Sequence, residues 1–261
     1  MSCNNCFENK KILITGAGQG IGFEIARRFH AAGATVLIND LDQTLCQNAA
    51  SAIDPELTTC VPYPGDSGDA VFLAETFENI QQRYGAPDVA IANTGFSLFR
   101  SFLDMTLDEL REVMRINIEG TFLLLQHAAR QMIGARIAGR LLVMSSVTGQ
   151  RAHRELTAYG MTKGALETLV RNLVVELSAH RLTINAIAPG ATLTERTLSD
   201  DAYAATWSTL TPLGKAATTA DIAETALFLA SPAAGHITGQ TIVVDGGWTA
   251  ISPGPETVQE K

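Results

Sequence analysis

The sequence has little that would direct the chain to a membrane or to nucleic acid. Its 261 residues include no apolar run near the roughly 18 residues that span a bilayer, and the first residues lack the basic and apolar regions of a signal peptide. The 19 lysines and arginines are outnumbered by 27 aspartates and glutamates, for a net charge of −8. That balance is opposite to the basic surface that DNA binding needs. We expect a cytoplasmic protein with no membrane or nucleic-acid partner.

Cysteine and histidine are also scarce. Cys3 and Cys6 have CxxC spacing, but no second such pair or HxxxH motif follows, and the five histidines are scattered. The sequence therefore predicts no metal site. Apolar residues make up 46%, which is ample material for one core, and no break in composition divides the chain. We expect a single domain.

Short apolar runs alternate with segments of helical period along the chain. The predicted strands are 11–15, 35–39, 58–63, 89–92, 141–145, 183–187 and 241–244. The predicted helices are 21–32, 43–52, 70–84, 107–136, 159–180 and 221–230. This βα alternation, with several strands apolar at every position, predicts an α/β protein with a Rossmann-type doubly wound sheet of seven parallel strands and helices on both faces.

Three segments fall outside that alternation. Residues 191–220 are rich in threonine and lack clear periodicity, and loops of that length in compact domains are often functional, so we expect a substrate lid. Residues 1–8 and 252–261 are expected to be flexible ends.

A glycine-rich turn joins the first predicted strand to the first predicted helix. Gly16, Gly20 and Gly22 stand in the spacing that lets a backbone approach a pyrophosphate at a helix N-terminus. Asp40 ends the second strand, where an acidic side chain accepts hydrogen bonds from an adenosine ribose and repels a 2′-phosphate. The sequence favours NAD over NADP. Alternatively, Asp40 caps the helix that follows.

Two residues at helical spacing suggest proton transfer. Tyr159 and Lys163 lie on one helix face, and a phenol is a poor base at neutral pH unless a neighbouring cation stabilises its anion. Ser146 follows the predicted strand 141–145, at the end where α/β sheets open their ligand crevice. We expect Ser146 to donate to the reacting oxygen, and Ser145 to have a structural role.

Taken in order, these residues resemble the short-chain dehydrogenase/reductase family over about residues 8 to 248. The matching motifs are Thr15-Gly16-x-x-x-Gly20-x-Gly22, Asp66, Asn93-Thr94-Gly95, Asn117, Ser146, Tyr159-x-x-x-Lys163, Pro189-Gly190 and the closing segment 238–247. Ala92 and Thr94 depart from the family's Asn-Asn-Ala-Gly pattern. The resemblance implies that Tyr159 is the general acid/base, that Lys163 binds the nicotinamide ribose and lowers the pKa of Tyr159, and that Asn117 positions a water in a proton relay.

The resemblance also implies which residues bind the cofactor. Asp66 and Ser67 match its adenine position, and Pro189, Gly190 and Thr194 match the segment at its nicotinamide end. The full expected set is Gly16, Gln19, Gly20, Ile21, Gly22, Asp40, Leu41, Asp66, Ser67, Asn93, Gly95, Tyr159, Lys163, Pro189, Gly190, Thr192 and Thr194.

The substrate is expected to be a small alcohol or carbonyl compound. The polar loop 149–156 suits a hydroxylated or anionic molecule, and the apolar wall is expected from Phe96, Leu98, Phe99, Tyr203 and Trp207. An NAD preference suits alcohol oxidation and points to a sugar or polyol dehydrogenase. The alternatives are a 3-oxoacyl carrier-protein reductase and a non-catalytic nucleotide-binding protein. The resemblance implies a homotetramer, built on helices 107–136 and 159–180.

Overall fold

The computed structural model describes residues 6–251, and seven parallel strands form its main sheet. Their spatial order is β3-β2-β1-β4-β5-β6-β9, which confirms the predicted doubly wound sheet. The strands are β1 Lys11–Thr15, β2 Thr35–Asp40, β3 Cys60–Pro64, β4 Val89–Ala92, β5 Arg140–Met144, β6 Thr183–Pro189 and β9 Thr241–Val244. A separate two-stranded pair consists of β7 Thr192–Leu193 and β8 Ala217–Thr218.

Helices cover both faces of the sheet. They are α1 Gly20–Ala31, α2 Gln43–Ile53, α3 Ala70–Tyr84, α4 Leu107–Met114, α5 Thr121–Gly134, α6 Thr157–Leu177, α7 Tyr203–Leu210 and α8 Thr219–Ala230. Successive residues of β1 show how the core divides: Ile12 and Ile14 pack with α1, α2 and α8, whereas Leu13 packs with α3, α5 and α6. Because both faces of these strands are buried, their side chains are apolar at almost every position.

The expected helix 107–136 contains a π-helical segment, Arg115–Gly120, between α4 and α5. The apolar pattern continues through it, so periodicity alone predicted one uninterrupted helix. π-Helical turns are rare and often occur at functional sites. This one carries Asn117, which the sequence analysis assigns to the site.

The order of the sheet places a crevice at the carboxyl end of β1. From β1 the chain proceeds outward to β2 and β3, then returns to pair β4 with the other edge of β1. Loops that leave β1 and β4 therefore diverge, which is where doubly wound sheets bind ligands.

The segment expected to be an aperiodic lid contains β7, α7 and β8. Its pairing between residues far apart in sequence, such as Thr192 with Ala217, could not be recognised from periodicity. Of the ends expected to be flexible, residues 1–5 and 252–261 lie outside the described residues. Phe7 corrects part of that expectation, because it is buried against Phe29 with 4.7 Å between ring centroids.

Two further observations concern residues 6–251 alone. None of their helices combines the length and the apolarity needed to cross a bilayer. They also bring together no group of three or more histidine, cysteine, aspartate or glutamate side chains suited to a metal ion.

Candidate active site

The glycine-rich turn ends on the N-terminus of α1, which begins at Gly20. The residue before it, Gln19, makes no side-chain cap, so the first amide groups of α1 are left for a ligand. Gly20 has φ +63, and a Cβ on Gly22 would lie 2.2 Å from the Gly16 carbonyl oxygen. Only glycine fits that approach of helix to turn. A turn and helix end of this kind fit the pyrophosphate of a dinucleotide.

Asn93 holds this turn against β4. Its Nδ2 donates to the carbonyl oxygens of Thr15 at 3.0 Å and Gly16 at 2.8 Å. The backbone amides of Asn93 and Thr94 each donate to Thr15 Oγ1 at 3.2 Å. Thr94, a departure from the family pattern, has its own partner, since Ser67 Oγ donates to Thr94 Oγ1 at 3.0 Å.

Asp40 lies beside the turn at the carboxyl end of β2. Its Oδ2 accepts the Gly18 amide at 2.9 Å, and its side chain lines the cleft. The helix-capping alternative for Asp40 is wrong, because the N-cap of α2 is Asp42, whose Oδ1 accepts the Leu45 amide at 2.9 Å. Each carboxylate oxygen of Asp40 accepts one backbone amide, from Gly18 to Oδ2 and from Asp42 to Oδ1, and both oxygens keep a further lone pair for a ligand in the cleft.

Asp66 lies just after the carboxyl end of β3. Arg115, the first residue of the π segment, donates to Asp66 Oδ2 at 2.9 Å and also to Glu112. Hydrogen bonds to Glu112, and then to Asp66, raise the pKa of Arg115. The arginine joins the π segment to the strand end.

A cavity of about 410 Å³ runs along these strand ends. It brings together most of the residues expected to bind the cofactor. They are Gly16, Gln19, Gly20, Ile21, Gly22, Asp40, Leu41, Asp66, Ser67, Asn93, Gly95 and Thr194.

A second cavity, of about 500 Å³, continues from the first and shares Ile21, Asn93, Gly95, Thr194 and Arg196 with it. It contains the remaining predicted residues except Asn117. They are Ser146, Tyr159, Lys163, Pro189, Gly190 and Thr192. We call the strand ends, α6 and the buried side chains that fasten them together, Asn117 and Glu167 among them, the floor of this continuous cleft, and residues 191–218 its roof.

Ser146 and Tyr159 meet in the second cavity. Ser146 Oγ accepts from the amide and hydroxyl of Thr148, at 3.2 and 2.9 Å, and Ser146 also favours the phenolate form of Tyr159. Burial is the larger influence and raises the pKa of Tyr159, while Ser146 and the charge of Arg196 oppose it.

Lys163 is buried on the same face of α6, with its Nζ 5.4 Å from the centroid of the Tyr159 ring. The ammonium donates to the Met144 carbonyl at 2.7 Å. Burial lowers its pKa to about 8. Lys163 therefore remains largely protonated at neutral pH, as a donor held in the second cavity.

Asn117 is fully buried behind the cavities and lines neither of them. Its Nδ2 donates to the Phe96 carbonyl and to Thr162 Oγ1, both at 3.0 Å, and its Oδ1 accepts the Phe96 amide at 2.7 Å. Thr162 Oγ1 in turn donates to the Tyr159 carbonyl at 2.7 Å. Both amide hydrogens of Asn117 thus connect the loop after β4 to α6. Its water-positioning role stays a prediction.

A buried carboxylate fastens the Ser146 loop to α6. Glu167 accepts from Ser145 Oγ at 3.0 Å and from Gln150 Nε2 at 3.1 Å. Ser145 also donates to the Lys163 carbonyl at 3.2 Å. Ser145 therefore connects β5 to the helix that carries Tyr159, which agrees with a structural role.

The loop 149–156 contributes less to the cavity than expected. Of its charged or basic residues, only His153 lines the cavity. Arg151 instead donates to the Thr249 carbonyl at 2.6 Å, and Arg154 is exposed. Phe99, Tyr203 and Trp207 form part of the wall as predicted, Phe96 lines the first cavity, and Leu98 lines neither.

Sequence reasoning missed several cleft residues, notably Arg115, Glu195, Arg196 and Trp248. A signal for Trp248 was present, because it follows the carboxyl end of β9 and parallel strands direct those ends to the crevice. Trp248 packs edge-on against Trp207, with 5.6 Å between ring centroids. Glu195 and Arg196, the two missed residues that belong to the roof, had no such signal.

Comparison with known proteins identifies this arrangement. Residues 16–249 match a family model described as enoyl-(acyl carrier protein) reductase. A galactitol 2-dehydrogenase (L-tagatose-forming) of Cereibacter sphaeroides is 32% identical over 90% of this chain and 93% of its own. The chain belongs to the short-chain dehydrogenase/reductase family. It also shares 31% identity with the 5-keto-D-gluconate 5-reductase of Escherichia coli K12, over 91% of this chain and 94% of that one.

The structure of this short-chain dehydrogenase/reductase also matches a solved structure. A gluconate 5-dehydrogenase from Burkholderia cenocepacia, crystallised with NADP and tartrate, superposes with a TM-score of 0.88 at 27% identity, covering 97% of this chain and all of that one. The chain is accordingly an NAD(P)-dependent oxidoreductase acting on CH–OH groups. Its turn, Asp40 and Lys163 fit such a cofactor along the cleft. Membership favours an enzyme over a non-catalytic nucleotide-binding protein.

Proposed function

We propose that this enzyme transfers a hydride between a secondary alcohol of a sugar or polyol and NAD, with Tyr159 as the general acid/base. One observation carries the proposal: Ser146, Tyr159 and Lys163 line one cavity that is continuous with the phosphate-binding turn. The names of the galactitol dehydrogenase and keto-gluconate reductase relatives support the substrate class.

The residues divide the reaction between them. Ser146 donates a hydrogen bond to the substrate oxygen and fixes its position beside the Tyr159 phenol. Tyr159 accepts the hydroxyl proton during oxidation and returns it during reduction. The nicotinamide, when bound, supplies the hydride chemistry. Lys163 donates to the cofactor's ribose, and its positive charge favours the phenolate form of Tyr159, the form that can accept the hydroxyl proton.

Asp40 supports the NAD preference. Its carboxylate faces the cleft where an adenosine ribose would lie, and it would repel a 2′-phosphate. Among the cations that line the first cavity, Arg115 is already paired with Asp66 and Glu112. The gluconate 5-dehydrogenase structure contains NADP, so the ratio of activity with NAD⁺ to that with NADP⁺ is the measurement that decides the preference.

The second candidate is a 3-oxoacyl carrier-protein reductase. The carrier-protein name of the matching family model favours it, whereas the net charge of −8 disfavours docking of an acidic carrier. Polyols and sugars assayed with NAD⁺ or NADP⁺, and acetoacetyl thioesters assayed with NADH or NADPH, separate the two. Turnover of thioesters alone would overturn the sugar assignment.

We propose further that α5 and α6 assemble the enzyme into a homotetramer. Phe122 on α5 and Val175 on α6 are apolar side chains that remain exposed in the monomer, Val175 by 86%. Exposed apolar residues on adjoining helices are typical of subunit interfaces. Sedimentation velocity should give a tetramer for the wild type, and Val175→Glu should shift it toward smaller species. A monomeric wild type would contradict this assembly.

A further inference from the structure

Arg196 occupies a position that the reaction outlined above does not use. It lies in the roof just after β7 and lines both cavities of the cleft. Its Nη1 donates to Ser97 Oγ at 2.9 Å, and Ser97 lies in the loop after β4. The guanidinium therefore crosses from the roof to the opposite rim, beside the substrate cavity.

The charge of Arg196 is not neutralised by the described part of the chain. The other cations of the cleft have partners on the floor: Arg115 pairs with Asp66, and Lys163 donates to the Met144 carbonyl. Within residues 6–251, no carboxylate oxygen lies within 4.0 Å of the Arg196 guanidinium. Most of its five donors are thus available in a protein whose net charge is −8.

Arg196 also lies close enough to influence the reacting groups. Burial raises the pKa of both Tyr159 and Tyr203, and the positive charge of Arg196 opposes that rise at each phenol. Among residues 6–251, the one acidic side chain that lines the second cavity is Asp200. The environment around the catalytic phenol therefore favours an anion held a short distance from it.

We propose that Arg196 binds a carboxylate of the substrate, so that the enzyme acts on a hydroxy acid or its keto acid. The planar guanidinium fork matches a carboxylate with two parallel hydrogen bonds, which a neutral polyol cannot form. Ser97 offers a hydroxyl beside the same group. The alcohol carbon then lies between the carboxylate and the Ser146–Tyr159 pair. This inference rests on the proposed function and narrows its substrate class.

The two tryptophans of the sequence provide a binding signal that needs no turnover. Trp207 and Trp248 both line the second cavity, so intrinsic fluorescence reports its occupancy. D-Gluconate and D-glucitol are suitable probes because they differ at one carbon, which is a carboxylate in gluconate and a hydroxymethyl group in glucitol. Each is titrated into the enzyme saturated with its preferred reduced nucleotide, which prevents oxidation of the alcohol.

We expect the wild type to bind gluconate roughly 10- to 100-fold more tightly than glucitol, as a charge-assisted pair should. Arg196→Leu should abolish that preference, and Arg196→Lys should retain part of it because the charge remains without the fork. Arg154→Leu removes an exposed cation from the neighbouring loop and should leave the preference intact.

Equal affinity of the wild type for the two probes would overturn the assignment, as would an unchanged preference in Arg196→Leu. Weakened nucleotide binding in Arg196→Leu, with the preference retained, would assign the arginine to the cofactor instead. Failure of the proposed reaction gives a different result. In that case neither probe is oxidised with NAD⁺ or NADP⁺, while tighter gluconate binding and its loss in Arg196→Leu still identify a carboxylate site.

Discussion

The floor and the roof of the cleft are built in different ways. Floor side chains connect separate elements: Asn93 ties β4 to the phosphate turn, Asn117 ties the π segment to α6, and Glu167 ties α6 to the Ser146 loop. Hydrogen bonds in the roof are mostly local, such as those of Thr197 to residues 192 and 194. Exposed leucines, including Leu198 and Leu213, also mark the roof.

This difference separates chemistry from selection. Proton transfer requires reacting groups held to within fractions of an ångström, which buried and cross-linked side chains achieve. Substrate choice requires a surface that can change without disturbing them, and locally bonded segments provide that. We therefore expect substitutions in the floor to affect turnover or folding, and those in the roof to affect affinity.

The strongest test of this division compares a tyrosine from each region. Tyr159→Phe should lower kcat by about 10³-fold because the proton acceptor is lost, while the affinity for NADH stays unchanged. Tyr203→Phe removes a roof hydroxyl in the same cavity and should alter kcat by no more than about twofold. Steady-state kinetics and nucleotide titration measure both. Comparable kcat losses in the two variants would break the distinction.

Lysines give the second comparison. Lys163→Met should abolish activity yet raise the free energy of unfolding at pH 7 by about 1 to 3 kcal/mol, because a buried charge is removed at the cost of one hydrogen bond. The pKa of Lys163 is about 8 when folded against an ordinary 10.5. Between pH 8 and pH 10.5 the Lys163 amine is protonated in the unfolded wild type but mostly neutral in the folded protein. The free energy of unfolding of the wild type therefore rises with pH over this range, relative to that of the variant.

Chemical denaturation of the apoenzyme at pH 7, 9 and 10.5 measures that difference. The matched control is Lys215→Met, since Lys215 is exposed in the roof. Its stability relative to wild type should not change over the same pH range. A Lys163→Met protein that is less stable than wild type at every pH would show that the buried ammonium contributes net stabilisation to the floor.

Cofactor preference tests the adenosine end of the floor. Asp40→Ala should lower the ratio of kcat/KM for NAD⁺ over NADP⁺ by about 10- to 100-fold, because the charge that repels a 2′-phosphate is removed. Asp42→Ala is the control, because Asp42 caps α2 two residues away. It should cost about 1 kcal/mol of stability and leave the ratio unchanged. An unaltered ratio in Asp40→Ala would remove the basis for an NAD preference.

The smallest effect is expected in the aromatic wall of the roof. Trp207→Leu removes the edge-on contact with Trp248 and should raise KM by about 2- to 10-fold with little change in kcat. Initial-rate measurements over a range of substrate concentration provide both constants. A large fall in kcat would place Trp207 among the residues that position the reacting groups.

The same division explains what the sequence could predict. The seven strands of the main sheet followed from apolar runs, and the boundary errors, such as Cys60–Pro64 for 58–63, are small. Most residues of the floor followed from motifs whose spacing is set by strand ends. Both signals exist because burial on two sheet faces constrains residue types locally.

The roof and the π segment could not be predicted in this way. Pairing of β7 with β8 depends on residues more than twenty positions apart, and neither strand is long enough to show a period. The apolar pattern of a short π-helical segment, with bonds from i to i+5, is also nearly the same as that of an α-helix, with bonds from i to i+4. The sequence of Arg115–Gly120 therefore predicted an α-helix. Arg196, with no motif around it, became visible only through its place in the cleft.

The π segment has a consequence for how the length of the chain can vary. A π-helical turn holds one more residue than the α-helix around it would need, so a single codon lost between 115 and 120 would restore α-helical bonding. That deletion would leave the buried face of α4, including Val113, nearly where it is, because the wide turn takes up its extra residue within a single turn. It would instead draw in the turn that carries Asn117, whose amide bonds the Phe96 carbonyl and Thr162 Oγ1. Loss of one residue in this stretch should therefore disturb the support of Tyr159 more than it disturbs the packing of α4.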